Sequence, residues 1–267
     1  MTRLLTDGEL TEWDPGLVKR VVGMVRPVAK RWFRSETRGL DRLPGGAALV
    51  VGNHSGGLMT MDVPILAVDF YEEFGYERRL YTLSHDMLFQ GSVGNMLINI
   101  GFIPAHRDNA VAALRTGGVV IAFPGGDYDV YRPFTSANKI DFNGRKGYVR
   151  TAVDAGVPIV PAVTIGGQES QLFLLRGHRL AKALRLDKLV RTDVVPVSFG
   201  FPFGFSVGLP PNFPMPTKII TEVLDPIDVV DEFGSDPDVA AVDALIRTRM
   251  QEALDRLAAQ RRFPIIG

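Results

Sequence analysis

Apolar residues along this chain fall into two rhythms: short unbroken runs, and longer stripes at helical spacing. The first run, Ala47-Ala48-Leu49-Val50-Val51, is bounded in front by Pro44-Gly45-Gly46 and has the length of a buried strand. Further strands are expected at Arg79 to Ser84, Gly101 to Asn109, Val119 to Phe123, Val157 to Val163 and Lys218 to Leu224. Pro158 and Pro161 place the start of the fifth near an edge or a bulge. Helical patterns lie between them, at Val63 to Phe74, Ala110 to Thr116 and 145–156, the last with Gly156 at its end. A C-terminal helix over Asp238 to Arg262 would use Val242, Leu245, Ile246, Leu254 and Leu257 as one face. The alternation predicts an α/β fold with a mixed, mostly parallel central sheet flanked by helices, and with chemistry at the strand exits.

Two stretches depart from this rhythm. Residues 15–34 predict an N-terminal amphipathic helical segment, capped by Asp14 with Pro15 in its first turn and interrupted by Pro27. Leu17, Val21, Val25, Val28 and Trp32 form its stripe, and Lys19, Arg20, Arg26, Lys30, Arg31 and Arg34 surround it without an acid. Such a helix either lies in the headgroup plane of anionic lipid or packs on the core with a solvated basic face. On this basis residues 1–37 are assigned as a membrane-association segment and 38–267 as the α/β domain. In 194–216, phenylalanines interleaved with glycine and proline exclude a regular helix. They form either an irregular lid or an apolar surface for lipid or an acyl chain.

Composition narrows the function classes. Thirty basic and thirty acidic residues balance, which argues against a nucleic-acid-coated protein. Cysteine is absent, excluding thiolate metal sites and thiol nucleophiles, and the sequence suggests no metal. The first fourteen residues do not resemble a signal peptide, and no apolar run is long enough to span a bilayer. Any membrane contact is therefore expected to be peripheral.

Candidate chemistry begins at Asn53-His54, directly after the first strand and before Gly56-Gly57. A histidine there suits a general base, and Asp62, eight positions on, could fix its tautomer and stabilise the imidazolium. The plainer alternative is that His54 caps a helix and Asp62 is a solvated first-turn acid. His85 also ends a strand, but lacks a glycine-rich backbone beside it and reads as structural. Arg107 carries the fork that holds phosphate or carboxylate, or else forms a surface ion pair.

Taken in order, these strand exits resemble the motifs of the phospholipid and glycerol acyltransferase superfamily, especially its monoacylglycerol and diacylglycerol acyltransferase-like branch. Asn53-His54 with Asp62 resembles the first motif, Gly101-Phe102-Ile103-Pro104 through Arg107 the second, Phe123-Pro124-Gly125-Gly126 the third, and Val157-Pro158-Ile159-Val160-Pro161 the fourth. The resemblance covers residues 38 to 170. Two departures stand out: Met59 occupies the usual aspartate position, five after the histidine, and Gly125 replaces the usual glutamate. Asp127 or Asp129 could supply that carboxylate.

The resemblance implies transfer of a fatty acyl group from acyl-coenzyme A or acyl-carrier protein to a lysophospholipid or acylglycerol hydroxyl, with no cofactor or metal. His54 would be the base and Asp62 its orienting partner, with N–H groups at Gly56-Gly57 or Gly125-Gly126 receiving the oxyanion. Arg107, and secondarily Lys146, would hold phosphates of acceptor or donor. The enzyme would sit peripherally on the cytoplasmic face of the cell membrane. The competing expectation is a lipid-binding protein that keeps the fold without transferring; about 3 Å between Asp62 and His54 would favour an enzyme. An α/β-hydrolase is disfavoured because G-x-S-x-G is missing.

Overall fold

Every residue of Ala48–Gly52 is buried, which is why this run shows no polar alternation. Ala48 and Val50 face one side, against Ile65, Phe70 and Tyr71, while Leu49 and Val51 face the other, against Val149, Ala152 and Leu254. A strand covered by helices on both faces has no solvated side for polar residues. The computed structural model describes residues 3–57, 60–185, 194–208 and 212–263. Among these, the strands are β1 Glu36–Arg38, β2 Ala48–Gly52, β3 Leu80–Ser84, β4 Phe102–Pro104, β5 Val119–Ala122, β6 Ile159–Ile165, β7 Leu172–Leu175, β8 Val197–Gly200, β9 Gly204–Val207 and β10 Ile220–Val223.

The main sheet has the order β1-β10-β6-β2-β5-β3-β4, and β7-β8-β9 form a separate antiparallel sheet. Strands β6, β2, β5, β3 and β4 are parallel; β10 runs antiparallel to β6, with β1 parallel beside it. From β2 the chain crosses to β3 through the helix Asp62–Phe74 on one face. From β5 it returns to β6 through Gly147–Ala155 on the opposite face. The adjacent exits of β2 and β5 therefore lead apart, and a crevice opens between them.

Several expectations need correction. The third strand stops at Pro104, because His106 caps a helix, Arg107–Arg115, that begins earlier than Ala110. Strand β6 is interior although it contains Pro161. Its carbonyl accepts from the Leu224 N–H at 2.8 Å, so the side of Pro161 that lacks a donor faces β10 just past that strand's end. The stretch 194–216 contains a hairpin, β8–β9; its residues Leu209 to Pro211 lie outside the described residues.

The N-terminal helix Pro15–Pro27 is capped as expected by Asp14, which accepts from Gly16 and Leu17. Its core face is Val18 and Val22, continued by Ala29 and Phe33, while Val28 and Trp32 stay exposed. Past Pro27, a wider π-helical turn, Val28–Trp32, carries the chain onward. Lys30 pairs with Asp69 and Arg26 with Glu72, both on the helix after β2. The segment thus shares the core of the domain, and a boundary at residue 37 would cut β1.

Candidate active site

Beyond Gly52, the side chain of Asn53 takes over the pairing of β2 with β6. Its amide donates to the Thr164 carbonyl and accepts from the Thr164 N–H, each at 2.8 Å. This fixes the backbone from which His54 departs. Gly52 leaves room for the Phe123 ring at the exit of β5; a Cβ there would lie 2.9 Å from it. The His54 imidazole stacks on that ring with centroids 4.1 Å apart, which limits rotation of the histidine.

The eight-residue spacing closes through backbone that favours glycine. Gly56 and Gly57 have φ of +90° and +66°, left-handed values that turn the loop back toward the sheet. A Cβ on Gly57 would sit 2.6 Å from the Phe173 ring, so this turn is also held against the second sheet. Met59 lies outside the described residues. The next helix begins at Asp62, whose carboxylate stands at a helix N-terminus, where negative charge is favoured.

Asp62 Oδ2 accepts from the Ser55 N–H at 2.7 Å and lies 3.0 Å from His54 Nδ1. Its Oδ1 accepts from the Ser55 hydroxyl at 2.8 Å. Asp62 is 2% exposed and the His54 side chain 16%. With Nδ1–H donating to the carboxylate, Nε2 is left to accept a proton from a ligand. Ser55 therefore grips Asp62 by backbone and side chain and does not pair with the imidazole. Gly167 closes over this contact: a Cβ there would fall 1.9 Å from Ser55 Oγ and 3.2 Å from Asp62 Oδ1.

A second buried carboxylate holds the histidine backbone. Asp129, on the short helix after Pro124-Gly125, accepts from the His54 N–H at 2.7 Å. Arg132, four-fifths of a turn further along, donates to it through Nε at 2.9 Å, and both side chains are buried. Burial pushes the Asp129 carboxyl up, opposed by Arg132 and the His54 N–H. Removing one member of such a pair costs about 3–5 kcal/mol. Gln168 completes the lock, donating to the carbonyls of Asp129 at 3.0 Å and His54 at 3.3 Å. Of the two acids left open by the sequence, Asp129 is the one at His54; Asp127 pairs with Arg145. The i, i+3 spacing of Asp129 and Arg132 was the available signal.

The other expected residues fall as follows. The Gly126 N–H donates to the Phe123 carbonyl at 3.0 Å, so it is not an oxyanion donor in this conformation. Lys146 precedes the helix Gly147–Ala155, but its neighbour Arg145 is the cation that reaches the β5 exit, donating to the Gly125 carbonyl at 2.9 Å. Arg107 is paired with Asp154 on the surface. Strands β3 and β5 separate β4 from β2, and among the described residues no hydrogen bond or ion pair joins Arg107 to His54, Asp62 or Asp129. His85 caps the short helix Asp86–Phe89 by accepting from the Met87 N–H, a structural role.

Beside Met61, immediately before Asp62, an open groove of about 810 Å³ runs between the N-terminal segment and the stretch after the hairpin. Trp32, Phe33, Phe213 and Met215 line it almost without polar atoms. Trp32 also donates to the Pro214 carbonyl at 3.0 Å, joining its two walls.

A half-buried histidine paired with a buried aspartate at the exit of β2, held by a second carboxylate from the exit of β5, coincides with a family profile described as acyltransferase over residues 34–165. The chain belongs to the acyltransferase family. It is 31% identical over 274 aligned residues to an uncharacterized protein of Mycobacterium tuberculosis, covering 99% of this chain and 74% of that one. It is 29% identical to the mouse "DGAT1/2-independent enzyme synthesizing storage lipids", covering 79% and 62%. The fold is similar to the crystal structure of the 1-acyl-sn-glycerophosphate acyltransferase PlsC from Thermotoga maritima. That match has a TM-score of 0.55 and 19% identity, covering 92% of this chain and 83% of that one.

Proposed function

We propose that this acyltransferase moves a fatty acyl group from acyl-coenzyme A, or from acyl-carrier protein, to the hydroxyl of a lysophospholipid or acylglycerol. The observation that carries the reading is the 3.0 Å contact between His54 Nδ1 and Asp62 Oδ2, on a ring held by stacking. His54 Nε2 takes the acceptor's proton as its oxygen attacks the thioester carbonyl. The carbonyl oxygen gains the charge, and the Gly56-Gly57 backbone is the candidate to receive it. When the carbon–sulfur bond breaks, the imidazolium returns the proton to the departing thiolate. Ester and free thiol result, and His54 is neutral again. Asp62 holds the tautomer and offsets the imidazolium charge throughout.

The apolar groove beside Met61 would take an acyl chain, since its volume lies within the about 300–1,000 Å³ of ligand clefts. Arg145, at the β5 exit, is the nearer candidate holder of phosphate, with Lys146 beside it in sequence as the second. Arg107 can serve the same end only by leaving Asp154, an exposed pair of a kind worth at most about 1 kcal/mol. No helix among the described residues is long and apolar enough to cross a membrane. Peripheral action on the cytoplasmic face of the cell membrane is part of the proposal, and it rests on the basic residues of 15–34 rather than on that absence.

The test is thiol release from acyl-coenzyme A by purified protein, with lysophospholipids, monoacylglycerols and diacylglycerols offered singly in detergent. Release that requires one acceptor class supports the reading and names the substrate. Silence with folded protein, across acyl-coenzyme A and acyl-carrier protein donors, would leave a lipid-binding relative.

A further inference from the structure

Within the β7-β8-β9 sheet, the β8–β9 hairpin reverses the usual order of inside and outside. In an antiparallel sheet with one face on a protein core, apolar side chains turn inward and polar ones outward. Here Ser198 and Ser206 are buried, with their hydroxyl oxygens 2.9 Å apart, while Phe199, Phe205 and Val207 are exposed. Phe205 alone is 65% exposed. The register is definite: Ser198 pairs with Ser206, Phe199 with Phe205, and Val197 with Val207. A slip by one residue would bury the phenylalanines and free the serines. The hairpin instead pairs its serines inward and holds its aromatic rows in the open.

Charge is distributed to match. No Asp or Glu occurs from 170 to 186, and no charged residue of either sign from 194 to 208. From the exposed Leu175 the chain passes directly into the helix His178–Ala183, where Arg179 and Lys182 are exposed together with Leu180, and Leu184 and Arg185 follow. The two parts are tied by the Val195 N–H donating to the Arg176 carbonyl at 3.0 Å. His178 stacks on Tyr128, and Arg176 lies 3.8 Å over the same ring. Tyr128 adjoins Asp129, so this face stands beside the crevice that holds His54.

We infer that the outer face of β7-β8-β9 and the basic helix after β7 together insert into the surface of an anionic bilayer, aromatic residues entering the headgroup region and cations meeting lipid phosphates. The inference deepens the membrane reading above and rests on it for its purpose, though its test is independent of turnover. A second copy of the chain is the weaker occupant, because a twofold contact would bring together Arg179, Lys182 and Arg185, which form no ion pair among the described residues.

The experiment is co-sedimentation of the full chain with vesicles of phosphatidylcholine, alone or mixed with phosphatidylglycerol. Phe199→Ser and Phe205→Ser should each weaken binding about tenfold, as expected for withdrawing one apolar side chain from lipid. Replacing Arg179, Lys182 and Arg185 by glutamine should weaken binding about 100-fold on anionic vesicles, at about 1 kcal/mol per charge, and much less on neutral ones. Melting temperatures, unchanged for these exposed sites, verify folding. Vesicle binding equal to the parent's in folded Phe and charge variants overturns the inference. So does a concentration-dependent dimer that the Phe variants abolish while vesicle binding persists. His54→Ala should bind vesicles like the parent, and a parent that binds through this face yet releases no thiol would refute only the acyl-transfer reading.

Discussion

Replacing Asp62 by asparagine removes a charge from beside His54 while leaving a place for every hydrogen bond the carboxylate now accepts. The amide oxygen can stand where Oδ2 receives the Ser55 N–H and faces Nδ1, and the amide nitrogen can donate to the Ser55 hydroxyl in place of Oδ1. The hydroxyl need only rotate. Stability should therefore change little, while the imidazolium formed during proton transfer loses its counter-charge. With charge centres about 4 Å apart and an effective dielectric of about 20, that interaction is worth about 4 kcal/mol. At about 1.4 kcal/mol per decade, kcat should fall about a thousandfold. The assay is acceptor-dependent thiol release, with the melting temperature measured on the same preparations. A folded Asp62→Asn variant retaining more than a tenth of parental kcat would refute the reasoning and reduce Asp62 to a loop anchor.

Further outcomes follow from the same geometry. Gly167→Ala should lower kcat at least tenfold with a smaller effect on unfolding, because its Cβ would displace Ser55 and release Asp62; parental kcat would show that the contact yields without consequence. Arg107→Ala should leave the melting temperature nearly unchanged, since its pair with Asp154 is exposed, and should raise the acceptor KM if Arg107 holds phosphate. An unchanged KM would confine it to the ion pair. Burial raises Tyr71 and Tyr148 above the usual phenol range and Tyr131 to about 12. The folded state then keeps protons that the unfolded chain loses near pH 10, so the contribution is complete below about pH 10 and is lost as pH rises toward and beyond 12. Melting temperatures from pH 8 upward should fall only past about 10; a flat profile to pH 12 would contradict the burial of these hydroxyls.

Much of this architecture was legible because the central strands are covered on both faces and so read as unbroken apolar runs, β2 most clearly. Histidine at a strand exit and Asp62 were also legible from residue type and order. The path between them was not: it depends on two left-handed glycines and on Gly167, whose closeness to Ser55 arises across more than a hundred residues. Asp129 reaches His54 over 75 positions, a distance that no local pattern encodes. The N-terminal helix offers two apolar stripes, and the one containing Leu17 and Trp32 is the more conspicuous, yet Val18 and Val22 face the core. The β8–β9 hairpin escaped because its alternation is inverted and its glycines and prolines resemble a loop. Lys146 and Arg145 are neighbours in sequence, and no local pattern marks Arg145 as the one that reaches the Gly125 carbonyl.

The most direct test of the central claim is the acyl transfer itself, followed as labelled ester formed from acyl-coenzyme A by the parent and by His54→Ala. The imidazole is stacked at one face of a site whose frame is held by Asn53, Asp129 and Gln168, so its removal should leave the fold intact. The parent should form ester and release thiol in equal amounts, and folded His54→Ala should form none above the uncatalysed rate. Ester formation by folded His54→Ala at the parental rate would contradict that claim.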